Sequence, residues 1–293
     1  MGNLNIIIYD IFPFLIVFLY VVFIDLIKQI FKKYLSKYFK VDEISLNKLE
    51  IDLRMLAYAE NIKQIQDLKY RIEELKIIFI GTIIYLIVLC IAVFIIAPHY
   101  SYNLIEYVKL NSESLLFCTI KSITLIFNLL VLYSGLFVEH YYYKINPFHN
   151  KRGIRFWMEN IYAPLIEEFM FRFIVFNLLK INGHSSIKSA LISSFMFGIA
   201  HLRHFFDRTV NVNKILFQII YTSIFGFYCC YAYTYSNNFI CPTILHIICN
   251  CLQTPPFFYI NDEEYPKKLK TLTTIIYILG ILGFFILTYI FHK

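Results

Sequence analysis

The stretch IYAPLIEEFMFRFIVFNLL, residues 161–179, decides the fold, because three formal charges interrupt an otherwise apolar run: Glu167, Glu168 and Arg172. At mid-bilayer each charge costs about 2.5–3.5 kcal/mol, whereas an apolar residue returns only about 0.3–0.6 kcal/mol. The three charges therefore nearly cancel the drive of the segment to insert. They predict a membrane helix whose charged side chains face a water-filled or protein-lined cavity.

Composition places the rest of the chain in the same class. Hydrophobic residues make up 59% of the sequence, charged residues 16%, and the mean hydropathy is +0.61, far from ordinary soluble composition. We expect an all-α polytopic integral membrane protein with about eight transmembrane helices around a conical polar cavity. The candidate spans are 6–27, 77–97, 115–138, 157–179, 187–201, 215–233, 239–253 and 272–291.

The basic residues predict the orientation of these spans. Of the 27 Lys and Arg residues, 21 lie in alternate loops, at 28–76, 139–156, 202–214 and 254–270, and only 4 lie on the opposite side. Cytoplasmic loops carry such an excess, so we expect both termini on the non-cytoplasmic side. The net charge of +7 then reflects loops facing anionic lipid headgroups and calls for no nucleic acid partner.

The chain divides into three parts in sequence order. Residues 1–156 are predicted to hold N-terminal transmembrane helices and a charged cytoplasmic helical linker at 28–76. Residues 157–253 form the core that carries the polar motifs, and residues 254–293 form a loop and the last transmembrane helix. The linker fits a solvated helical hairpin on the membrane surface, or alternatively a partner-binding helix. The seven cysteines are an odd number and lie mostly in apolar segments, which favours reduced thiols over a disulfide framework.

Helical spacing sorts the three charges of the fourth span. Glu168 and Arg172 are four residues apart and share a face, so we expect an ion pair. Glu167 is rotated by about 100° and has no obvious local partner, which leaves it available for chemistry. Alternatively, all three charges only hold helices together.

Two later motifs add polar side chains at helical spacing. In Phe197-Gly-Ile-Ala-His201, the first and last residues share a face, and Gly198 and Ala200 allow a neighbouring helix to approach closely. In His246-Ile-Ile-Cys-Asn250, the histidine and the asparagine project from one face. A single histidine in a membrane is often an interhelical hydrogen-bonding group. Two histidines, a glutamate and an asparagine on three spans favour a converging polar site.

These residue types support hydrolysis of an amide. Glu167 and His201 can deprotonate a water and protonate the leaving amine, while His246 and the Asn250 amide can donate to the oxyanion of the tetrahedral intermediate. The sequence contains no Gly-x-Ser-x-Gly elbow and no His-Glu-x-x-His zinc helix. A zinc protease with Glu167, His201 and His246 as ligands is an alternative. A catalytically silent membrane scaffold or transporter is another.

The three motifs, Glu167-Glu168-Phe-Met-Phe-Arg172, Phe197-Gly-Ile-Ala-His201 and His246-Ile-Ile-Cys-Asn250, resemble the signature motifs of the CPBP family of intramembrane proteases. The Ala163-Pro164 lead-in and the cysteine before Asn250 resemble its eukaryotic branch, the type II CAAX prenyl endopeptidases. The resemblance covers residues 157–253. One departure is Arg203, where that branch commonly carries a histidine.

The resemblance implies a CPBP-like catalytic core and removal of the last three residues of prenylated CaaX proteins, such as small GTPases. It places the protein in the endoplasmic reticulum membrane. Glu167 and His201 would activate water and His246 and Asn250 would form the oxyanion site, with Glu168, Arg172 and Phe197 in support. No cofactor and no metal are expected. Because Glu167 lies about ten residues into a span entered from the cytoplasm, at roughly 15 Å depth, we expect the cavity to open to the cytosol.

Overall fold

The computed structural model describes residues 13–19, 22, 72, 76, 79–84, 87, 114–145, 154–202 and 212–292, and within these ranges the chain is helical with no strand. The predicted linker 28–76 and Arg203 lie almost entirely outside them, as does most of the first two candidate spans. The helices are α1 (Leu115–Leu132), α2 (Ser134–Tyr142), α3 (154–181), α4 (Ser186–Ala200), α5 (Val212–Ser236), α6 (Ile240–Leu252), α7 (Phe258–Asn261) and α8 (Lys267–His292).

Two compact units divide the described residues. The first holds α3, α4 and the part of α5 up to Cys230, and the second holds α1, α2, the end of α5 and the helices that follow it. The boundary falls inside the predicted core 157–253. The three-part division of the chain in sequence order stays a prediction.

Helix α3 is continuous but irregular. It consists of Ile154–Trp157, a π-helical turn Met158–Tyr162, the α-helical turn Ala163–Glu168, a π-helical segment Phe169–Phe176, and Asn177–Ile181. Pro164 lies in the first turn of the α-helical segment, the part of a helix where its missing N–H is best tolerated. The carboxylates therefore lie directly before a stretch of π-helix, a form that is frequent at functional sites.

The core of the first unit lies between α3, α4 and the helical segment 13–19. Its buried side chains include Met170, Phe171, Val175, Met196 and Phe197. Lipid tails are as apolar as these side chains, so inside a bilayer the contact is stabilised mainly by close van der Waals packing.

Close approach of α4 to α5 confirms the prediction made for Gly198. A Cβ at this position would lie 2.7 Å from the carbonyl oxygen of Ile219 and would collide with the hydroxyl of Ser223. Helix α4 begins at Ser185, whose Oγ accepts a hydrogen bond from the Lys188 N–H at 3.3 Å. Its C-terminal cap is His201.

In the second unit α1 and α2 are bent by 55° at Tyr133 and pack along α8. The Asn128 Nδ2 donates to Thr288 Oγ1 at 2.8 Å, and the Tyr277 hydroxyl donates to the buried carboxylate of Glu139. Gly135 is needed at this contact, because a Cβ there would collide with the ring of Tyr277. The unit is thus joined by polar contacts inside an apolar bundle.

The all-α membrane architecture is confirmed. Two described helices, Ile215–Ser236 and Lys267–Phe291, are long and apolar enough to cross a membrane, and the bent pair α1–α2 adds a third when taken as one span. Two shorter apolar helices, Ser186–Ala200 and Ile240–Leu252, match the two short candidate spans. The total of eight spans stays a prediction.

Candidate active site

Glu168 and Arg172 form the ion pair that their spacing predicts. The Arg172 Nε lies 2.9 Å from Glu168 Oε2, and both side chains are completely buried. The Arg172 Nη2 also donates to the Gly226 carbonyl of α5 at 3.3 Å. A fully buried pair needs such additional hydrogen bonds, because the attraction between the two charges alone does not repay their desolvation.

Phe197 stacks against this pair and links it to the histidine. The Arg172 guanidinium lies 4.6 Å from the centre of the Phe197 ring, a cation–π contact worth about 2 kcal/mol when desolvated. The same ring packs edge-on against the His201 imidazole, with 5.2 Å between ring centres. Phe197 and His201 therefore share a face, as predicted, and a line of contacts runs from Glu168 through Arg172 and Phe197 to His201.

His201 is held in a defined orientation. It is 9% exposed, and its Nδ1 lies 3.0 Å from the Phe197 carbonyl oxygen. A carbonyl oxygen only accepts hydrogen bonds, so we assign the proton of the neutral ring to Nδ1. The Nε2 atom is then the one that can take up a proton, as a general base requires.

Glu167 is also buried, at 8% exposure. The expectation that it lacks a local partner is wrong, because it makes contacts of its own and its charge also acts on the Arg172 guanidinium. In a low-dielectric interior the field of a carboxylate extends well beyond one turn of helix. The role of Glu167 in activating water remains a prediction.

The second unit supplies the third motif on α6. The helix begins beside Asn238, whose Oδ1 accepts a hydrogen bond from the Cys241 N–H at 2.8 Å, and Pro242 lies in its first turn. It ends where Gln253 takes a left-handed φ of 62°. His246 is 5% exposed and Asn250 is half-buried. The convergence of these two residues with the motifs of the first unit remains a prediction.

The structure also shows contacts that the sequence did not reveal. Gly226 of α5 approaches so closely that a Cβ would lie 3.1 Å from the Phe197 ring and 3.2 Å from the Arg172 Nη2. Ser193 of α4 donates to the Phe171 carbonyl oxygen at 2.6 Å. The sequence alone does not predict such a contact for an isolated glycine or serine in an apolar helix, because the contact depends on which helix packs against it.

A protein metal site needs several ligating side chains close together. Within neither unit do the described residues bring three His, Cys, Asp or Glu side chains close enough together to hold a metal ion. The six cysteines in these ranges are buried and form no disulfide with one another. The reduced state of the thiols stays a prediction.

Comparison with known proteins points to the same segment. Residues 152–252 match the family model of the type II CAAX prenyl endopeptidases, described as Rce1-like. This range contains all three motifs, and the resemblance on which the sequence interpretation rests is confirmed. Fold and site thus define a polytopic membrane protein with an Rce1-like segment.

Three curated relatives also match part of the chain. The chain is 27% identical to CAAX prenyl protease 2 of Arabidopsis thaliana over 47% of this chain and 44% of the relative. It is 29% identical to the human CAAX prenyl protease 2, over 45% and 41% of the two chains. It is 24% identical to the probable CAAX prenyl protease 2 of Schizosaccharomyces pombe, over 44% and 49%. The matching region thus spans less than half the length of each relative. No solved structure gives a significant match.

Proposed function

We propose that this chain is an intramembrane endopeptidase that removes the C-terminal tripeptide from prenylated CaaX proteins, small GTPases among them. The observation that carries the proposal is the buried line Glu168–Arg172–Phe197–His201, which lies beside Glu167 and within the Rce1-like match at 152–252. Ionisable residues inside membrane helices are costly and commonly mark functional sites. The names of the three relatives supply the substrate class.

In the proposed reaction, Glu167 and His201 take a proton from a water, which attacks the carbonyl of the peptide bond after the prenylated cysteine. His246 and Asn250 donate to the oxyanion that forms. The proton taken from water then passes to the leaving amine. The carbon–nitrogen bond breaks, and the products are a prenyl-cysteine carboxylate and a free tripeptide. Glu168, Arg172 and Phe197 hold the His201 and Glu167 helices in place.

The proposed location is the endoplasmic reticulum membrane with the cavity open to the cytosol. In this orientation the lipid of the substrate stays in the bilayer while its peptide tail enters from the aqueous side. The lipid bilayer is therefore part of the substrate site.

The test is tripeptide release from a farnesylated reporter by the purified full chain in lipid. We expect release from the prenylated reporter and none from the same peptide without the lipid. Glu167→Gln in the same membrane serves as the inactive control. Absence of release by the wild-type chain would favour the scaffold or transporter interpretation.

The same preparation separates the metal-free mechanism from the zinc alternative. Exhaustive chelation followed by elemental analysis should leave an active enzyme without zinc. One stoichiometric zinc, whose removal abolishes activity and whose return restores it, would instead assign Glu167, His201 and His246 as ligands.

A further inference from the structure

A buried hydroxyl links the helix of the carboxylates to the helix of the histidine. Ser193 of α4 is completely buried, and its Oγ donates to the carbonyl oxygen of Phe171 in α3 at 2.6 Å. The two residues are 22 positions apart in sequence, so this bond fixes one helix against the other. The acceptor belongs to the residue immediately before Arg172.

The acceptor lies in the π-helical segment Phe169–Phe176. Hydrogen bonds in π-helical turns join residues five positions apart, and such turns are less regular than those of an α-helix. A second side-chain donor acts in the same segment, since the Asn177 Nδ2 donates to the Phe173 carbonyl oxygen at 2.8 Å. Two carbonyl oxygens of the π-helical segment therefore accept hydrogen bonds from side chains. The donor to Phe171, Ser193, belongs to the neighbouring helix.

One face of α4 connects this bond to the histidine. Ser193, Phe197 and His201 follow one another at intervals of four residues. One turn after Ser193 on α4, the ring of Phe197 packs against the ring of Phe171, with 5.1 Å between ring centres. The His201 ring in turn packs against Phe197. A slip of α4 along α3 would therefore move His201 relative to Glu167.

We propose that Ser193 is a positioning residue of the reaction, which sets the distance between the carboxylate helix and the histidine helix through its bond to the Phe171 carbonyl. This inference rests on the proposed function. Misplacement of reacting groups by about 1 Å costs on the order of 10²-fold in rate. Loss of the bond therefore acts on turnover more than on substrate binding.

Ser194 provides a matched control at the next position. It is 3% exposed, its Oγ donates to the Ala190 carbonyl oxygen of its own helix at 2.5 Å, and the same Oγ lies 3.8 Å from the Cys230 Sγ of α5. Ser194→Ala also removes one buried hydroxyl from α4. It leaves the hydrogen bond from Ser193 to the Phe171 carbonyl oxygen intact.

The experiment compares Ser193→Ala and Ser194→Ala in the full chain by kinetics, thermal unfolding and hydrogen exchange. We expect Ser193→Ala to lower kcat by about 10-fold to 100-fold with KM changed by less than about threefold. It should also speed amide exchange within 169–176. Ser194→Ala should leave kcat within about threefold of wild type and exchange in that segment unchanged, even when both variants unfold at similar temperatures.

Equal kcat values for the two variants would overturn the proposal, as would unchanged exchange in 169–176 for Ser193→Ala. If Ser193→Ala does not fold, Ser193→Cys replaces it, because it keeps a weaker donor at nearly the same volume, and its kcat should fall below that of Ser194→Ala. If the wild-type chain cleaves no reporter, the proposed function fails, and the exchange comparison alone decides whether Ser193 holds the two helices together.

Discussion

Arg172 shows how one residue can carry a full charge inside an apolar bundle. Its guanidinium contacts a carboxylate, a carbonyl oxygen and an aromatic face. Lysine at this position could not make these contacts together, because its ammonium lacks the planar, forked geometry of a guanidinium.

Removal of one member of the pair should destabilise the protein. Glu168→Ala leaves the guanidinium buried without its counter-charge, and Arg172→Ala does the same to the carboxylate, at a cost of about 3–5 kcal/mol. We expect lower folded yield and a lower thermal midpoint for both variants. The double replacement Glu168→Leu with Arg172→Met should recover stability without recovering activity. Normal unfolding temperatures in both single variants would show that the pair contributes no stability.

Glu167 and His201 should affect chemistry rather than folding. Glu167→Gln and His201→Ala are each expected to lower kcat by at least about 10²-fold, because each removes a group that takes up a proton. Their insertion and thermal midpoints should stay near those of the wild type. Cleavage at the wild-type rate by either purified variant would remove these residues from the mechanism.

At the scale of elements, the close approach of α5 to α3 and α4 depends on Gly226. Gly226→Ala should cost about 1–3 kcal/mol of stability through overpacking, although alanine is the better helix former. It should also lower kcat, because the added methyl displaces the guanidinium and the Phe197 ring.

Gly283→Ala in α8 is the control for this substitution. A Cβ there meets only the methyl group of Val131 at 3.0 Å, a side chain that can adjust. Thermal unfolding and kcat of the two variants are compared. A Gly226→Ala variant as active and as stable as Gly283→Ala would show that the close approach has no role.

The loop before α8 is tied to the end of α2 by a hydrogen bond that depends on pH. The Tyr143 hydroxyl donates to Asp262 Oδ2 at 2.6 Å, and this bond lowers the pKa of the Asp262 carboxyl below its ordinary value. This hydrogen bond therefore contributes its full stability above the ordinary pKa of an aspartate. The contribution is lost as the pH falls through the lowered pKa of Asp262.

We expect Tyr143→Phe to lower the unfolding temperature at about pH 6, and the difference from wild type to shrink toward about pH 3. Tyr141→Phe serves as the control, because the Tyr141 side chain is 89% exposed. A difference that does not change with pH would mean that the bond does not involve the ionised carboxylate.

At the scale of the whole molecule, the orientation predicted from the basic loops can be tested by labelling. Single cysteines at Glu60 and at the exposed Glu263, in a background without native cysteines, should react with an impermeant maleimide added from the cytosol. A cysteine at Asn111 should not. Labelling of Asn111 with protection of Glu60 would place the proposed cavity on the side opposite to cytosolic substrates.

Helix positions were predictable from the sequence, but their irregularities were not. The candidate spans 187–201 and 239–253 lie within about a residue or two of the observed helices, because polar loops bound their apolar runs. The Glu168–Arg172 pair followed from spacing alone. The π-helical turns after Glu168 and the roles of Ser193 and Gly226 were missed, because they arise from packing between helices that are distant in sequence.

The bond between Tyr277 and Glu139 bears on biogenesis. Glu139 is 1% exposed, and its second carboxylate oxygen has no hydrogen-bond partner among the described residues. Its donor lies 138 positions later in the sequence, so every nascent chain that ends before Tyr277 carries this carboxylate without the hydroxyl that donates to it. Synthesis of α8 therefore supplies the donor to this carboxylate, and we expect a product truncated before Tyr277 to be less stable than the chain that contains it.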